Sequence, residues 1–192
     1  MPIKPWKKVG PPETLAQSNG RSLVWQKYQD PRNKEIKRYT LFKAEGFSCV
    51  VLPITKKGMV LAIRQFRHGS EIISLELPAG NHKYLEQSPE SVAREEVAEE
   101  TGGYEPEKVT RLTNEAVNLE PCYSKWLFYP FLFTDCQKTN LEAKPDEGEY
   151  IEVVPIPLPE WMEMCFNGQI GDTLSMFTTM LASKHLGYKL QL

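Results

Sequence analysis

Apolar residues fall into short runs punctuated by turn-forming residues, and those runs set out the order of elements. Phe47–Ile54 and Met59–Arg67 read as apolar strands, with Lys57-Gly58 between them as a hairpin turn. Ser22–Tyr28 and Ile36–Ala44 read as two earlier strands joined by the turn-rich Asp30-Pro31-Arg32-Asn33. Val109–Leu119, Trp126–Thr134 and Ile151–Ile156 are three later strand candidates. Pro159–Asn167, stopped by Gly168, and Thr173–Leu186 read as helices, the second with Leu174, Phe177 and Leu181 as a core stripe. The Pro- and Lys-rich start, Pro2 to Pro12, reads as extended or poorly ordered.

A further helix is bounded from its ends. Ser88 is a natural N-cap, Pro89 suits the first helical position, and Gly102-Gly103 can take the left-handed stop, which predicts a helix over 89–101. Each residue turns the helix by about 100°. With Val92 at zero, Glu96 lies near 40°, Glu100 near 80°, Ala93 near 100° and Val97 near 140°, all about. Two carboxylates therefore share the stripe that carries the apolar side chains, with Glu99 just beside Val92. A solvated acidic face is the ordinary meaning of such a run, but this stripe is the one that should pack. Like charges at these spacings repel by about 0.2–0.5 kcal/mol per pair. A hard, oxygen-preferring dication such as Mg²⁺ suits the position, because no Cys or His joins the stripe.

The segment resembles the box of Nudix hydrolases, G-x5-E-x7-R-E-U-x-E-E-x-G-U, where U is a bulky aliphatic residue. Glu96-Val97 match E-U, and Glu99-Glu100-Thr101-Gly102 match E-E-x-G. Glu95 stands where the pattern has Arg, Gln87 where it has the first Glu, and the loop from Gly80 is one residue longer, so that Glu86 is a second candidate for the first-Glu role. An Arg at 95 would reach Glu99 at i+4, whereas Glu95 adds repulsion, and Arg94 pairs more naturally with Glu90. Arg64-Gln65-Phe66-Arg67-His68-Gly69, Leu75-Glu76-Leu77-Pro78-Ala79-Gly80 and Glu120-Pro121 with Ser124 are similar to segments of the ADP-ribose pyrophosphatase branch. The likeness spans about residues 40–185.

This resemblance implies an α/β Nudix fold, an α/β/α sandwich with a mixed central sheet, plus an N-terminal antiparallel strand segment. It implies Mg²⁺, or Mn²⁺ in its place, held by Glu96, Glu100 and the Ala79 carbonyl, with Glu99 as a supporting ligand or orienting a metal-bound water. The general base would come from the acidic loop Asp146-Glu147-Gly148-Glu149, Glu147 first and Glu149 second; a solvated hairpin is the plain alternative. Arg64, Arg67 and Glu76 would contact substrate, although Arg64 and Arg67 fall on opposite faces of one strand and at most one can face the site. The N-terminal segment, 1–43, would pair with a second subunit, leaving 44–192 as the hydrolase domain. Trp25 or Trp6 could stack on a base there, against the simpler role of packing within its own domain or a dimer interface.

Composition is compatible with this reading. The 192 residues are 41% hydrophobic and 25% charged, with a net charge of −2, so no global basic field exists for nucleic acid or an anionic membrane. Cys49, Cys122, Cys136 and Cys165 are widely spaced, and with no signal peptide or long apolar run the expectation is a cytoplasmic protein with reduced thiols. No phosphate-loop motif, H-E-x-x-H or nucleophile elbow is present, and His68, His82 and His185 are scattered. Two functions follow: Mg²⁺-dependent hydrolysis of the diphosphate of ADP-ribose or a related nucleoside diphosphate sugar by a homodimer, or a Nudix domain that has lost turnover and binds a nucleotide as a sensor or partner module.

Overall fold

Strand alternation decides which layer each core side chain joins. The computed structural model describes residues 2–18, 21–43, 46–84, 86–140, 148 and 150–188. The chain divides into two compact units, Met1–Gly46 with Asn118–Leu127, and Phe47–Val117 with Phe128–Leu192.

In the larger unit the central sheet runs β10 (Val117–Asn118), β11 (Leu127–Lys138), β4 (Phe47–Thr55), β5 (Met59–Arg67), β12 (Glu152–Pro157). Four short strands attach to it: β6 (Ile72–Glu76) to β5, β7 (Ala79–Asn81) to β4, and β8 (Tyr104–Glu105) and β9 (Lys108–Arg111) to β11. Cys49 and Val51 of β4, Leu61 of β5, and Phe131 and Phe133 of β11 pack under α1 (Pro89–Thr101) with Val92, Ala93 and Val97. The alternate residues Val50, Leu52, Ile54, Val60, Ala62, Phe128 and Leu132 form a second core with Trp161 and Cys165 of α2 (Leu158–Phe166) and Ala182 of α3 (Thr173–His185). Burial on both faces explains why β4 and β5 read as continuous apolar runs rather than alternating ones. The expected α/β/α sandwich is what forms.

Three local expectations are refined. Val109–Leu119 is two strands, β9 and β10, because Thr113-Asn114-Glu115 bends between them and the Arg111 guanidinium donates to the Thr113 carbonyl at 2.7 Å. Leu174 and Phe177 of the expected α3 stripe are partly buried and packed against the core, but the fully buried positions are Ser175, Thr178, Thr179, Ala182 and Ser183. Small residues let this helix approach the core closely.

The third concerns the start of the smaller unit, a three-stranded antiparallel sheet of β1 (Lys7–Ser18), β2 (Arg21–Gln29) and β3 (Ile36–Lys43). The Pro-rich start is a strand from Lys7 onward. Pro11 and Pro12 fall in a register shift between Val9 and Glu13, at the sheet edge, where a missing N–H breaks no ladder. Gly10 takes φ 68° at this bulge, and the Gln26 amide donates to its carbonyl at 3.2 Å. The turn Asp30-Pro31-Arg32-Asn33 forms around the buried Asp30, whose carboxylate accepts from the Arg32 Nε at 3.0 Å and Nη2 at 2.7 Å; that contact pulls the Asp30 pKa down to about 2.

Candidate active site

The helix α1 begins and ends where its caps dictate. Ser88 accepts from the Ser91 N–H at 3.1 Å, and Gly102, at φ 74°, closes the C-terminus in the left-handed conformation. Between these caps the helix buries Glu96 (8% exposed) and Glu100 (4%) on the same side as Val92, Ala93 and Val97. Glu100 accepts from the Ala79 N–H at 2.8 Å. Glu96 lies directly over Gly80: a Cβ on that glycine would sit 1.9 Å from the Glu96 carboxyl carbon. The loop Pro78-Ala79-Gly80 is itself held from both sides, by the Val51 N–H donating to the Pro78 carbonyl at 3.0 Å and by the Leu77 N–H donating to Ser175 Oγ at 2.8 Å. Ser175 in turn belongs to the α3 cap, where Asp172 accepts from its N–H at 2.7 Å and its hydroxyl at 2.6 Å.

Glu99 and Glu95 lie beside this pair, and the structure supplies a cation that sequence reasoning missed. Lys83 Nζ is 3.1 Å from Glu99 Oε2 and 4.0 Å from Glu95 Oε1. The Gln87 amide donates to Glu95 Oε2 at 2.8 Å, and its oxygen accepts from the N–H groups of Lys83 (2.6 Å) and Tyr84 (3.0 Å). Gln87 therefore makes the contact at this position, while Glu86 is exposed. The expected repulsion between Glu95 and Glu99 is bridged by an ammonium, and Arg94 pairs with Glu90 at 3.0 Å. The signal available in the sequence was a lysine within the loop that leads into the helix.

On β5 the two arginines separate. Alternation puts Arg67 on the α1 side with Leu61, and Arg64 on the side of Val60 and Ala62. Arg67 Nε donates to the buried Glu76 at 3.2 Å, and its Nη2 lies 2.5 Å from Glu76 Oε1. Burial pushes the Glu76 carboxyl above its ordinary pKa, with Arg67 acting against it. Arg64 instead reaches Glu152 on β12 at 3.4 Å. Trp25 belongs to the smaller unit, where the Arg38 guanidinium lies 3.7 Å over its ring, and Trp6 meets Tyr39 edge-on. Both base candidates, Glu147 and Glu149, lie outside the described residues.

A family profile for the NUDIX domain matches residues 43–164, more than half of the chain. The chain belongs to the Nudix family. It is 29% identical over 147 residues to the ADP-ribose pyrophosphatase of Bacillus subtilis (strain 168), covering 77% of this chain and 76% of that protein. It is 30% identical over 157 residues to the ADP-sugar pyrophosphatase of Mus musculus, covering 73% and 69%. A solved structure described as an ADP compounds hydrolase superposes with a TM-score of 0.81 at 19% identity over 97% of both chains, a likeness of fold.

Nudix membership implies a divalent cation, and the donors at α1 fit one. Glu96 and Glu100 are buried oxygen donors packed against a backbone turn that admits no side chain at Gly80. Among the described residues no three His, Cys, Asp or Glu side chains converge into a ready-made cage. No helix of the described residues is long and apolar enough to cross a membrane.

Proposed function

We propose that this Nudix pyrophosphohydrolase cleaves the diphosphate of ADP-ribose or a related nucleoside diphosphate sugar, releasing a nucleoside monophosphate and a sugar phosphate, with Mg²⁺ as its metal and Mn²⁺ able to replace it. The observation that carries the reading is the Glu96/Glu100 pair, buried on the packed face of α1 against Ala79-Gly80. The names of the two relatives support the substrate class.

Glu96, Glu100 and the Ala79 carbonyl would hold the dication, which when bound neutralises phosphate oxygens and lowers the pKa of a coordinated water. Glu99 orients that region from its place beside the pair. Arg67, on the α1 side of β5, is the guanidinium we assign to a substrate phosphate, with Glu76 fixing its direction. Arg64 faces the other layer and has the weaker claim. Attack by water forms one P–O bond as the bridging P–O bond breaks, and the water's proton passes to a general base; Glu147, then Glu149, are the candidates. The smaller unit is assigned to homodimer formation, with Trp25 as its candidate for base stacking.

A nucleotide-binding module without turnover is the second reading, motivated by Glu95 and Gln87. The two residues bond to each other, so their departure from the box is not a simple loss. Product release from ADP-ribose, nucleotide sugars and dinucleotides, measured with Mg²⁺ and then EDTA, decides between the two. Turnover of an ADP-sugar that EDTA stops is the expected result; tight nucleotide binding with no product under any metal would leave the sensor.

A further inference from the structure

We infer that Lys83 takes the place of the arginine that the Nudix box carries where this chain has Glu95: its ammonium, brought in by the loop ahead of α1, positions Glu99 beside the Glu96/Glu100 pair. The inference rests on the proposed metal-dependent reading of that site. An arginine at 95 would extend one helical turn to Glu99. In its place the chain has a carboxylate, which cannot perform that task and would push Glu99 away.

The structure shows how the loss is offset. Lys83 Nζ sits 3.1 Å from Glu99 and 4.0 Å from Glu95, so one cation spans both acids. An exposed ion pair of a flexible lysine would contribute little. Here the lysine is aimed: its own N–H and that of Tyr84 donate to Gln87 Oε1, and Gln87 anchors that turn to the helix by donating to Glu95. The side chains of Lys83 and Glu99 are 31% and 23% exposed, which shields the pair from full solvent screening. Residues 87 and 95, two of the departures from the box, touch each other and together fix the loop that delivers Lys83. These two substitutions form one compensated change. Glu95 is the anchor of the replacement, not a damaged position.

The test compares the wild type with Lys83→Met, Lys83→Arg and Lys83→Met/Glu95→Arg. Mn²⁺ affinity is read by calorimetry, ADP-ribose turnover by product release and folding by thermal melting. Lys83→Met should weaken Mn²⁺ binding and slow turnover by about 10- to 100-fold, the range for removing a group that orients a metal ligand, with little change in melting temperature. Lys83→Arg should keep most of both. Adding Glu95→Arg to Lys83→Met should restore them in part, since that guanidinium reaches Glu99 from within the helix.

A lysine acting only as a counter-charge gives the opposite sign, tighter Mn²⁺ binding once it is removed, and that result overturns the inference. So does a Lys83→Met protein that matches the wild type in affinity and rate, or a double variant that recovers nothing. A wild type that neither binds Mn²⁺ nor turns over any ADP-sugar overturns the reading of the site itself, and this inference with it.

Discussion

The helices on the two faces of the sheet both bury polar groups, but of different kinds. On one side α3 presents Ser175, Thr178, Thr179 and Ser183 to the core. Thr178 Oγ1 has no partner among the described residues, but the other three hydroxyls find theirs inside the fold: Ser175 donates to Asp172, Thr179 accepts from the Trp161 indole at 2.9 Å, and Ser183 donates to the Met180 carbonyl at 2.7 Å. A neutral hydroxyl so bonded is satisfied. On the other side α1 buries Glu96 and Glu100. A backbone N–H such as that of Ala79 can bond a carboxylate but cannot cancel its charge. Polar burial under α3 is of neutral hydroxyls, most of them bonded within the fold, while under α1 it gathers two carboxylates one helical turn apart, a set that a cation can bridge.

The largest expected effect lies on the α1 side. Glu100→Gln keeps an oxygen for the Ala79 N–H and removes the charge, so metal-dependent turnover should fall about 10²- to 10³-fold, in line with the loss of one preorganised electrostatic group. The fold should survive or gain stability, because a buried charge is gone. A variant with wild-type turnover would falsify the ligand assignment. Gly80→Ala comes next. Its methyl cannot coexist with the present Glu96 carboxylate, and weaker Mn²⁺ binding by about tenfold or more is expected from displacing one ligand. Unchanged Mn²⁺ affinity would place Glu96 outside the metal's reach.

Ser175→Ala tests the α3 side. It leaves the buried Leu77 N–H without its acceptor, a cost of about 1–3 kcal/mol visible in urea unfolding. Metal affinity should change far less than in Gly80→Ala. If the two variants lose affinity equally, the faces of the sandwich are not independent and the contrast fails.

The legible parts of the molecule were those written in local chemistry. Caps at Ser88 and Gly102 bounded α1 to the residue, because one side-chain bond and one left-handed glycine settle its ends. The helical period placed Glu96 and Glu100 on the packed stripe. What stayed hidden depended on distant partners. Nothing local marks Lys83 as the bridge between Glu95 and Glu99, or shows that Gln87 and Glu95 join. The α3 stripe was only partly legible, because hydrophobicity finds Leu174 and Phe177 but not the small polar residues beside them that are buried more deeply. The Pro-rich start was left open between extended and poorly ordered because its pairing is not local: its prolines are tolerated at an edge bulge stitched by Gln26, sixteen positions from Gly10.

The smallest effect gives the finest view of the two faces. Cys122 is exposed and should react with a thiol reagent at once, whereas Cys49, Cys136 and Cys165 are buried and should wait for the structure to open. Burial pushes the Cys49 thiol up to about 12, assisted by the nearby Glu96 charge, and it also raises Cys165. Cys49 donates to the Pro89 carbonyl at 3.1 Å beneath the first turn of α1, while Cys165 lies on α2 in the opposite core. A dication that binds only when α1 is seated on Ala79-Gly80 opposes lifting of that helix. At ten times its Kd, Mn²⁺ should therefore slow Cys49 labelling about tenfold, by mass action on the closed form. Labelling of Cys165 should hardly change if α2 and α3 open on their own. Equal slowing at both cysteines would mean that the sandwich opens only as a whole, and that the cation stabilises both layers rather than the acidic one.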